Sequence, residues 1–469
     1  MPVRRAEKTP MPVQDAYARA HNFHEVNSGY SIAHAAIEAE RCLRCQDPVC
    51  TDGCPVRIPI RDFIHAVAAS DMPRAAHILR GANPLPSICG RVCPQELQCE
   101  ARCSMGGRFE PVAIGHLERF VSDWERAQPI APAVSNARPR RPEKVAVIGG
   151  GPSGLVCAGE LARLGYGVTL YEALHAPGGV LRYGIPEFRL PKGILDWEID
   201  QLKAMGVEIV CNVIIGKTIS LDDLTGKLGY SAVFIGTGAG LPQFLNIPGE
   251  HLNGVYSANE FLTRINLMRA YDFPNADTPV KVGRRVAVIG AGNTAMDAVR
   301  TAMRMGAEDA MIVYRRSVDE MSARVEEYHH AVEEGISFHW LTSPIEIIDD
   351  GTGWVSGLRC QQMTLGEPDA SGRRRPVPIP GAEIVLPADN VVLAIGTTPN
   401  PLLTRTTNGL ATTKHGCLVA DEATGLTSKT MVFAGGDAVT GAATVILAAG
   451  AGKRAAHAID AALTACGAH

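Results

Sequence analysis

The sequence predicts an α/β protein with a helical N-terminal domain followed by two doubly wound units, the second inserted in the first. Three observations support this prediction. Eight of the 13 cysteines fall between Cys42 and Cys103. A strand, glycine-rich turn, helix and strand follow one another from residue 144, and the same order recurs from residue 285. A late apolar run ends at Gly435-Gly-Asp437 and predicts a strand that completes the first unit.

The 469 residues are enough for two to four domains. The predicted segments are 1–135 for the helical domain, 144–255 for the first part of the first unit, 256–394 for the inserted unit and 395–469 for the second part of the first unit. Gln128–Glu143 is rich in Pro and basic residues, which predicts a linker.

The charge balance and the hydropathy of the chain argue against several classes of protein. The 45 Lys and Arg residues nearly balance 49 Asp and Glu, for a net charge of -4, which argues against a nucleic-acid or membrane-surface partner. Met1–Lys8 lacks the apolar core of a signal peptide, and no run approaches the roughly 18 apolar residues of a membrane span. We therefore expect a cytoplasmic protein whose cysteines are not paired in a disulfide framework.

The first unit begins with a dinucleotide-binding motif. The strand Lys144–Gly149 enters a G-x-G-x-x-G turn and a helix, the order that leaves a pyrophosphate at the helix N-terminus. Glu172, at the end of the next strand, is positioned to bind a ribose hydroxyl. An ordinary turn is the alternative for the glycines alone. The motif residues are Gly149, Gly151, Pro152, Ser153 and Gly154.

The late Gly435-Gly-Asp437 segment favours FAD over NAD as the dinucleotide of this unit. Asp437 can bind a ribityl chain, and the helix that opens at Thr444 can stabilise negative charge on a reduced flavin. An ordinary strand–helix turn is the alternative.

The inserted unit repeats the motif as Gly290-Ala-Gly292-Asn-Thr-Ala295, where Ala satisfies the need for close helix packing. Arg315 and Arg316 end its second strand, where an NAD site would carry an acid. Two guanidiniums there suit a 2′-phosphate and predict NADPH. A solvated basic strand end is the alternative.

The clustered cysteines follow the spacings Cys42-x2-Cys45-x4-Cys50-x3-Cys54 and Cys89-x3-Cys93-x5-Cys99-x3-Cys103. These spacings favour iron–sulfur clusters, with zinc or inert thiols as alternatives. The remaining cysteines include no pair that could accept electrons from the flavin, so the electrons must leave the flavin by another path. This requirement also favours redox clusters in the N-terminal domain.

The whole chain resembles the glutamate synthase small (β) subunit family. The residues that carry the resemblance are Cys42-Leu-Arg-Cys45, Gly53-Cys54-Pro-Val56, Asn83-Pro-Leu-Pro86, Cys89-Gly-Arg-Val-Cys93-Pro94, Ile114-Gly-His-Leu-Glu118-Arg-Phe120, the two glycine turns, Tyr314-Arg-Arg-Ser317 and Gly435-Gly-Asp437. The family includes the large subunit of the bifurcating NADH-dependent ferredoxin:NADP oxidoreductase and the N-terminal half of dihydropyrimidine dehydrogenase.

The resemblance implies two [4Fe-4S] clusters with interleaved ligands. It assigns Cys42, Cys45, Cys50 and Cys103 to one cluster, and Cys54, Cys93, Cys99 and the carboxylate of Glu118 to the other. Cys89 is then a bystander. Taken by itself, Glu118 would be interpreted as a surface helix residue.

The resemblance also extends the nucleotide sites. For the flavin it adds Val180, Arg189 and the segment from Gly436 to Ile446, which includes Thr444 and Val445. For NADPH it adds Ala291, Asn293, Thr294, Ile395 and Gly396. Without the family, Arg189 could equally be a solvated charge in a Pro-flanked loop.

We therefore interpret the chain as an NADPH-dependent oxidoreductase subunit of a hetero-oligomer. It is expected to pass electrons through FAD and the clusters to a larger redox subunit, of which the glutamate synthase large subunit is favoured. Gln46-Asp-Pro-Val49 is closer to the bifurcating oxidoreductase, which is the alternative partner system along with other NAD(P)H-linked reductases. A zinc-binding interaction protein without redox turnover is the distant alternative. Hydride transfer between cofactors needs no side-chain acid or base, so no catalytic residue is predicted.

Overall fold

The computed structural model describes residues 5–128 and 141–466. The predicted linker Gln128–Glu143 therefore lies mostly outside the described residues. In chain order the α-helices are α1 (Ala16–Ala20), α2 (Ile32–Glu40), α3 (Val49–Asp52), α4 (Ile60–Ala68), α5 (Met72–Ala82), α6 (Pro86–Val92), α7 (Ile114–Arg126), α8 (Pro152–Arg163), α9 (Val180–Tyr183), α10 (Lys192–Ala204), α11 (Leu221–Gly226), α12 (Ala258–Leu262), α13 (Asn293–Arg304), α14 (Val325–Glu333), α15 (Leu402–Thr406), α16 (Asp437–Thr440) and α17 (Val445–Cys466).

The strands are β1 (Lys144–Ile148), β2 (Gly167–Tyr171), β3 (Glu208–Val210), β4 (Ala232–Ile235), β5 (Leu241–Pro242), β6 (Val255–Ser257), β7 (Arg285–Ile289), β8 (Asp309–Val313), β9 (Ser337–His339), β10 (Thr342–Asp349), β11 (Val355–Pro368), β12 (Arg374–Pro387), β13 (Asn390–Leu393), β14 (Thr397–Thr398) and β15 (Val432–Ala434). Short 3-10 helices cover Gln95–Leu97, Ser104–Gly107, Ala270–Asp272 and Val318–Glu320, and a π-helix covers Thr263–Leu267.

The N-terminal domain is helical, as predicted. Helix α4 shows why: Ile60, Phe63, Ile64 and Val67 recur at helical spacing and are all buried, so one face of the helix packs into the core. The helices pack on one another, most extensively α6 on α7 and α4 on α5. Most of the clustered cysteines lie in the turns between these helices, while Cys50 lies in α3 and Cys89 in α6.

Two parallel five-stranded sheets form the rest of the α/β architecture. The first has the order β15-β4-β1-β2-β3, so strands from both ends of the nucleotide-binding region share one sheet. The second has the order β6-β13-β7-β8-β9 and is built from the intervening chain. This topology confirms the predicted fold class, in which one doubly wound unit is inserted in the other. Strands β5 and β14 pair antiparallel where the chain crosses between the units.

A three-stranded antiparallel sheet, β10-β11-β12, was not predicted. It is inserted between β9 and β13 of the second parallel sheet and is made largely of the long β11–β12 hairpin. Strand β12 is mostly exposed along its length, and prolines interrupt its edge. Weak burial explains why the apolar pattern of the sequence did not reveal it.

The helical domain and the first unit share one continuous hydrophobic core. Cys54, Ile88 and Leu117 of the helical domain belong to the same buried cluster as Leu155 and Ile446 of the first unit. Burial of each large aliphatic side chain contributes roughly 1.5–3 kcal/mol, so this shared core holds the cysteine region firmly against the nucleotide-binding region. Among the described residues, no helix combines the length and the apolar character needed to cross a bilayer.

Candidate functional site

The first glycine turn joins β1 to α8. Gly154 packs so closely that a Cβ atom there would lie 1.9 Å from the Gly149 carbonyl oxygen, so no larger residue fits. Pro152 occupies the first turn of α8, where a missing backbone donor costs nothing. The N-terminus of α8 thus stands open toward the turn, the arrangement that binds a pyrophosphate through backbone N–H groups.

Glu172 lies directly under this turn and is buried. One carboxylate oxygen accepts a hydrogen bond from Gly150 N at 2.7 Å, and the other accepts one from Leu174 N at 2.9 Å. These two backbone donors fix the orientation of the carboxylate. Each oxygen keeps further acceptor capacity, which is what a ribose hydroxyl would use.

The Gly435-Gly-Asp437 segment meets the first turn at Ser153. Gly436 packs against the Ser153 side chain, and Gly452 in α17 packs against its backbone carbonyl. Burial raises the pKa of Asp437 to about 6, and its carboxylate accepts a hydrogen bond from Ala443 N at 3.2 Å. Thr444, just before α17, accepts a weak hydrogen bond from Leu447 N at 3.4 Å. Val445 and buried Ile446 are the first residues of α17.

Val180 and Arg189 have different surroundings. Val180 begins α9, is half-exposed, and follows Gly179, which packs on Gly151 of the first turn. Arg189 is buried and its guanidinium is bound by the carboxylate of Asp297 at 2.7 and 2.9 Å. Interpretation of Arg189 as a solvated charge is therefore wrong. Its predicted role at the flavin stays a prediction.

The second glycine turn joins β7 to α13. The Ala291 carbonyl accepts hydrogen bonds from Ser322 N and Ala323 N, each at 3.2 Å, and the Asn293 side chain accepts one from Arg324 N at 2.9 Å. These contacts fix the turn to the segment before α14. Gly290 and Gly292 flank Ala291, and Thr294 is exposed at the start of α13.

Ile395 and Gly396 lie beyond the end of β13, where the chain leaves the second sheet. The Gly396 carbonyl accepts a hydrogen bond from Gln243 N at 3.1 Å, which ties the two crossing segments together. Strand β13 ends at Leu393, so both residues lie in the crossing segment.

Arg315 and Arg316 follow β8 and differ in solvent exposure. Arg315 is exposed, whereas Arg316 is 6% exposed. Arg316 donates to the Arg374 carbonyl at 2.8 Å and forms an ion pair with Asp369 at 2.6 Å. Both partners belong to the turn region of the β11–β12 hairpin.

The first cysteine group consists of Cys42, Cys45, Cys50 and Cys103. All four are half-buried and line one small cavity beside α3 and α4. Burial raises the pKa of the Cys50 thiol to about 11, and the nearby Cys103, Cys42 and Cys45 thiols add to the rise. Cys45 Sγ also contacts Ser104 Oγ at 3.5 Å. The four thiols are thus close enough to act on one another electrostatically.

The second cysteine group consists of Cys54, Cys93 and Cys99 together with Glu118. All four are buried. Burial raises the pKa of the Cys54 thiol to about 11, with Glu118 adding to the rise. A hydrogen bond donated to Cys89 and burial raise the pKa of the Cys93 thiol. Burial raises that of Cys99, again with contributions from Cys54 and Glu118. The grouping is the one that the resemblance implies, and its role as two sets of cluster ligands stays a prediction.

Glu118 is the unusual member. It is 6% exposed on the inner face of α7, and its Oε1 has no hydrogen-bond partner among the described residues. Burial raises the pKa of its carboxyl group to about 8; a hydrogen bond with the Asn83 side chain opposes the rise, and nearby Glu198 adds to it. Interpretation as a surface helix residue is therefore wrong. A buried carboxylate oxygen with no partner costs stability unless it binds something, and thiolates with such an oxygen are suitable donors for an iron–sulfur cluster.

Within residues 5–128 and 141–466, no three or more His, Cys, Asp or Glu side chains are arranged to hold a single metal ion. Cys89 is fully buried beside Cys93 on α6. Because it contacts the second group through Cys93, it is a neighbour of that group and not a distant thiol.

Sequence reasoning missed the buried ion pairs that join the first unit to the inserted unit and continue within the inserted unit. Arg189 binds Asp297 and Glu327, and Arg300 binds Glu327 and Glu334. Each of these side chains comes from a segment with no spacing motif, so only three-dimensional contact identifies it. Lys453 was missed for the same reason: it donates to the carbonyls of Val56 at 3.1 Å and Ala82 at 2.5 Å, linking α17 to the cysteine region.

Two family models match the chain. The model described as dihydropyrimidine dehydrogenase domain II, 4Fe-4S cluster, matches residues 19–130. The model described as pyridine nucleotide-disulphide oxidoreductase matches residues 118–227 and 143–462. The two models therefore cover the helical domain and the two doubly wound units, respectively.

The glutamate synthase (NADPH) small chain of Halomonas elongata is 37% identical over 448 residues, which are 95% of this chain and 94% of that protein. The NADP(+)-dependent formate dehydrogenase subunit beta of Moorella thermoacetica is 40% identical over 88% of this chain, but this match spans only 59% of that longer protein. Among solved structures, FprA of Mycobacterium tuberculosis in complex with NADPH has a TM-score of 0.57 at 22% identity, over 70% of this chain and 86% of that one.

Proposed function

Since the chain belongs to the glutamate synthase (NADPH) small-chain family, we propose that it is an NADPH-oxidising iron–sulfur flavoprotein that passes electrons to a larger partner subunit. The favoured partner is a glutamate synthase large subunit, with which the joint reaction converts 2-oxoglutarate and glutamine into two molecules of glutamate. The proposal extends to two [4Fe-4S] clusters, FAD and NADPH in this chain.

One observation carries the proposal: helix α17 packs closely on both the residue that follows Cys54 and the first glycine turn. A Cβ atom on Gly450 would lie 2.9 Å from the Pro55 carbonyl, next to Cys54, and a Cβ atom on Gly452 would lie 2.1 Å from the Ser153 carbonyl. The two glycines let both segments contact the helix backbone. A flavin at the turn and a cluster at the cysteines would therefore be close neighbours.

The flavin is assigned to the first unit. Bound FAD would accept a hydride from NADPH and release single electrons. Gly149–Gly154 and the N-terminus of α8 would hold its pyrophosphate, and the fixed carboxylate of Glu172 would hold its ribose. Asp437, Thr444 and the N-terminus of α17 would bind the remainder of the cofactor.

The clusters are assigned to the two cysteine groups. The first would use Cys42, Cys45, Cys50 and Cys103, and the second would use Cys54, Cys93, Cys99 and Glu118. Burial raises the pKa values of Cys50 and Cys54, which keeps these thiols protonated until a cluster binds. Cluster insertion would then release protons, because the ligand is the thiolate.

Anaerobic purification of the full chain tests the redox function. We expect flavin, iron and acid-labile sulfide, with visible absorbance that NADPH bleaches faster than NADH does. A colourless protein that contains zinc, without flavin or sulfide, would instead support the non-redox interaction protein.

A second partner system is favoured by two observations. The Moorella relative is a subunit of a formate dehydrogenase, and Gln46–Val49 lies beside the first cysteine group in a form closer to the bifurcating oxidoreductase. The two possibilities are separated by mixing the reduced chain with a purified glutamate synthase large subunit. We expect NADPH-dependent glutamate formation in this mixture. The favoured partner would be contradicted if no glutamate formed and the chain were instead found in a stable complex with a different redox subunit in the source cells.

A further inference from the structure

Arg324 belongs to the inserted unit, but its guanidinium contacts the helical domain. It is the residue directly before α14 and is only 6% exposed. Its Nη1 donates to the Arg91 carbonyl at 3.0 Å, and its Nη2 donates to the side-chain carbonyl of Gln95 at 3.0 Å. Its Nε lies 3.4 Å from a carboxylate oxygen of Glu96. One side chain therefore joins the inserted unit to three residues around Cys93.

Gln95 connects this contact to both kinds of donor in the second cysteine group. It follows Cys93 by two residues, and its backbone N donates to the Cys93 carbonyl at 2.9 Å. Its side chain is buried against α7, where a Cβ atom on Gly115 would lie 2.2 Å from Gln95 Nε2. Gly115 precedes Glu118 by three residues and so lies on the same side of the helix, nearly one turn earlier. The Gln95 side chain is thus a spacer between the segment that carries Cys93 and the helix that carries Glu118.

The backbone of the Arg324 segment is bound to the second glycine turn. Arg324 N donates to the Asn293 side chain at 2.9 Å, and the backbone N–H groups of the two residues before it donate to the Ala291 carbonyl, each at 3.2 Å. A nucleotide in the proposed NADPH site would contact Ala291 and Asn293, so its binding would act directly on the groups that hold this segment. Residues 322–324 therefore lie between the nucleotide turn and the second cysteine group.

We propose that Arg324 is a positioning residue that couples nucleotide binding in the inserted unit to the packing of the second cysteine group. A bound nucleotide orders the second glycine turn, the turn holds the Arg324 backbone, and the guanidinium holds Gln95 in place between α6 and α7. The surroundings of the second set of ligands thus depend on nucleotide occupancy before any electron is transferred. The inference rests on the proposed use of NADPH.

The contact requires a guanidinium. Arg324 donates to the helical domain from Nε, Nη1 and Nη2, and its Nη2 also donates to Glu326 at 2.8 Å. A lysine keeps the positive charge beside Glu96 and Glu326, but its single ammonium group cannot reproduce the fork that holds these acceptors together. Arg324→Lys should therefore remove the coupling without changing the net charge.

Amide hydrogen exchange of the anaerobically purified full chain, with and without saturating NADP⁺, tests the coupling. The oxidised nucleotide is used because it occupies the site without reducing the protein. In the wild type we expect NADP⁺ to slow exchange at residues 290–296. We also expect it to slow exchange at residues 87–98 by roughly 5-fold or more, the lower end of the coupling usual between two sites. In Arg324→Lys the slowing at residues 290–296 should persist and the slowing at residues 87–98 should be lost.

Two further variants complete the test. Gln95→Met breaks the same hydrogen bond from the other side and should also lose the slowing at residues 87–98, so it carries the test if Arg324→Lys does not fold. Arg19→Lys is the matched control and should keep that slowing, because Arg19 is another buried arginine that joins the helical domain to the inserted unit. Its hydrogen-bond partners among the described residues lie outside the second glycine turn and the cysteine groups: Gln14, His330, Glu333 and Glu334.

The possible failures are distinct. Slowing at residues 87–98 that persists in Arg324→Lys or in Gln95→Met would overturn the inference, and so would its loss in Arg19→Lys. A wild type in which NADP⁺ slows exchange only at residues 290–296 would overturn it as well. A wild type in which NADP⁺ slows exchange in neither region would instead overturn the proposed use of NADPH.

Discussion

The first cysteine group lies near the surface, whereas the second lies inside the core that the helical domain shares with the first nucleotide-binding unit. Exposed Leu43 and Val49 surround the thiols of the first group, but Cys54, Cys93 and Cys99 are each less than 9% exposed. Both groups arise from similar cysteine spacings. The comparison teaches that spacing predicts the kind of ligand, while the surrounding packing decides how deep the ligand lies.

Depth has a chemical consequence. Thiolates in a buried site need nearby positive charge or a bound metal, because burial disfavours the charged form. The second group adds a carboxylate to three thiols, whereas the first group has four thiols. If both groups bind clusters, they differ in donor set, in solvent exposure and in distance from the flavin unit.

The largest expected effect comes from Glu118. The Glu118→Ala variant should lose about half of its iron and sulfide, because each [4Fe-4S] cluster holds the same number of both and only the second group is damaged. Iron and sulfide analysis of the anaerobically purified protein measures the loss. Flavin content should stay close to that of the wild type, since Glu118 is not among the residues assigned to the flavin.

The Glu118→Gln variant is the matched control, because it keeps an oxygen donor of the same shape without the charge. We expect it to retain more iron than Glu118→Ala. A purely structural role gives a different pattern: removal of a buried carboxylate with an unbonded oxygen would leave the iron content unchanged and would not lower the free energy of unfolding.

The sequence predicted the parallel strands better than the contacts between domains. The strand predicted from residue 285 is observed as Arg285–Ile289, because a buried β-branched run before glycine favours a buried strand. Glu118 came only from the family resemblance, since a carboxylate within a helix carries no spacing signal. Arg189 and Asp297 could not have been paired from the sequence, because their contact depends on how the two units pack.

Substitution of Lys453 should distinguish the two clusters by their reduction potentials. Its ammonium group is held by the Val56 and Ala82 carbonyls and interacts electrostatically with Cys54. A unit charge at roughly 10 Å contributes about 1 to 2 kcal/mol at an effective dielectric constant near 20, equivalent to about 40 to 90 mV for one electron. Loss of positive charge disfavours reduction, so Lys453→Met should lower the potential of the second cluster by about that amount.

A redox titration followed by electron paramagnetic resonance measures both cluster potentials in one sample. The potential of the first cluster should move much less, because the cysteine with which Lys453 interacts is Cys54 of the second group. Lys203→Met is the control, since Lys203 is exposed and paired with Asp200 at 2.9 Å. Equal shifts of both clusters in Lys453→Met would contradict the assignment of this lysine to the second group.

Cys89 should give the smallest effect, and it tests whether the difference in donor set is real. The Cys89→Ala variant removes one buried sulfur and its hydrogen bond to Cys93, so we expect a loss of roughly 1–2 kcal/mol in unfolding free energy and no loss of iron. Denaturant titration and iron analysis measure the two quantities, with Cys93→Ala as the variant expected to lose the second cluster. If Cys89→Ala loses that cluster while Glu118→Ala keeps it, the fourth donor is a thiol. The two groups would then be alike in chemistry and would differ only in depth.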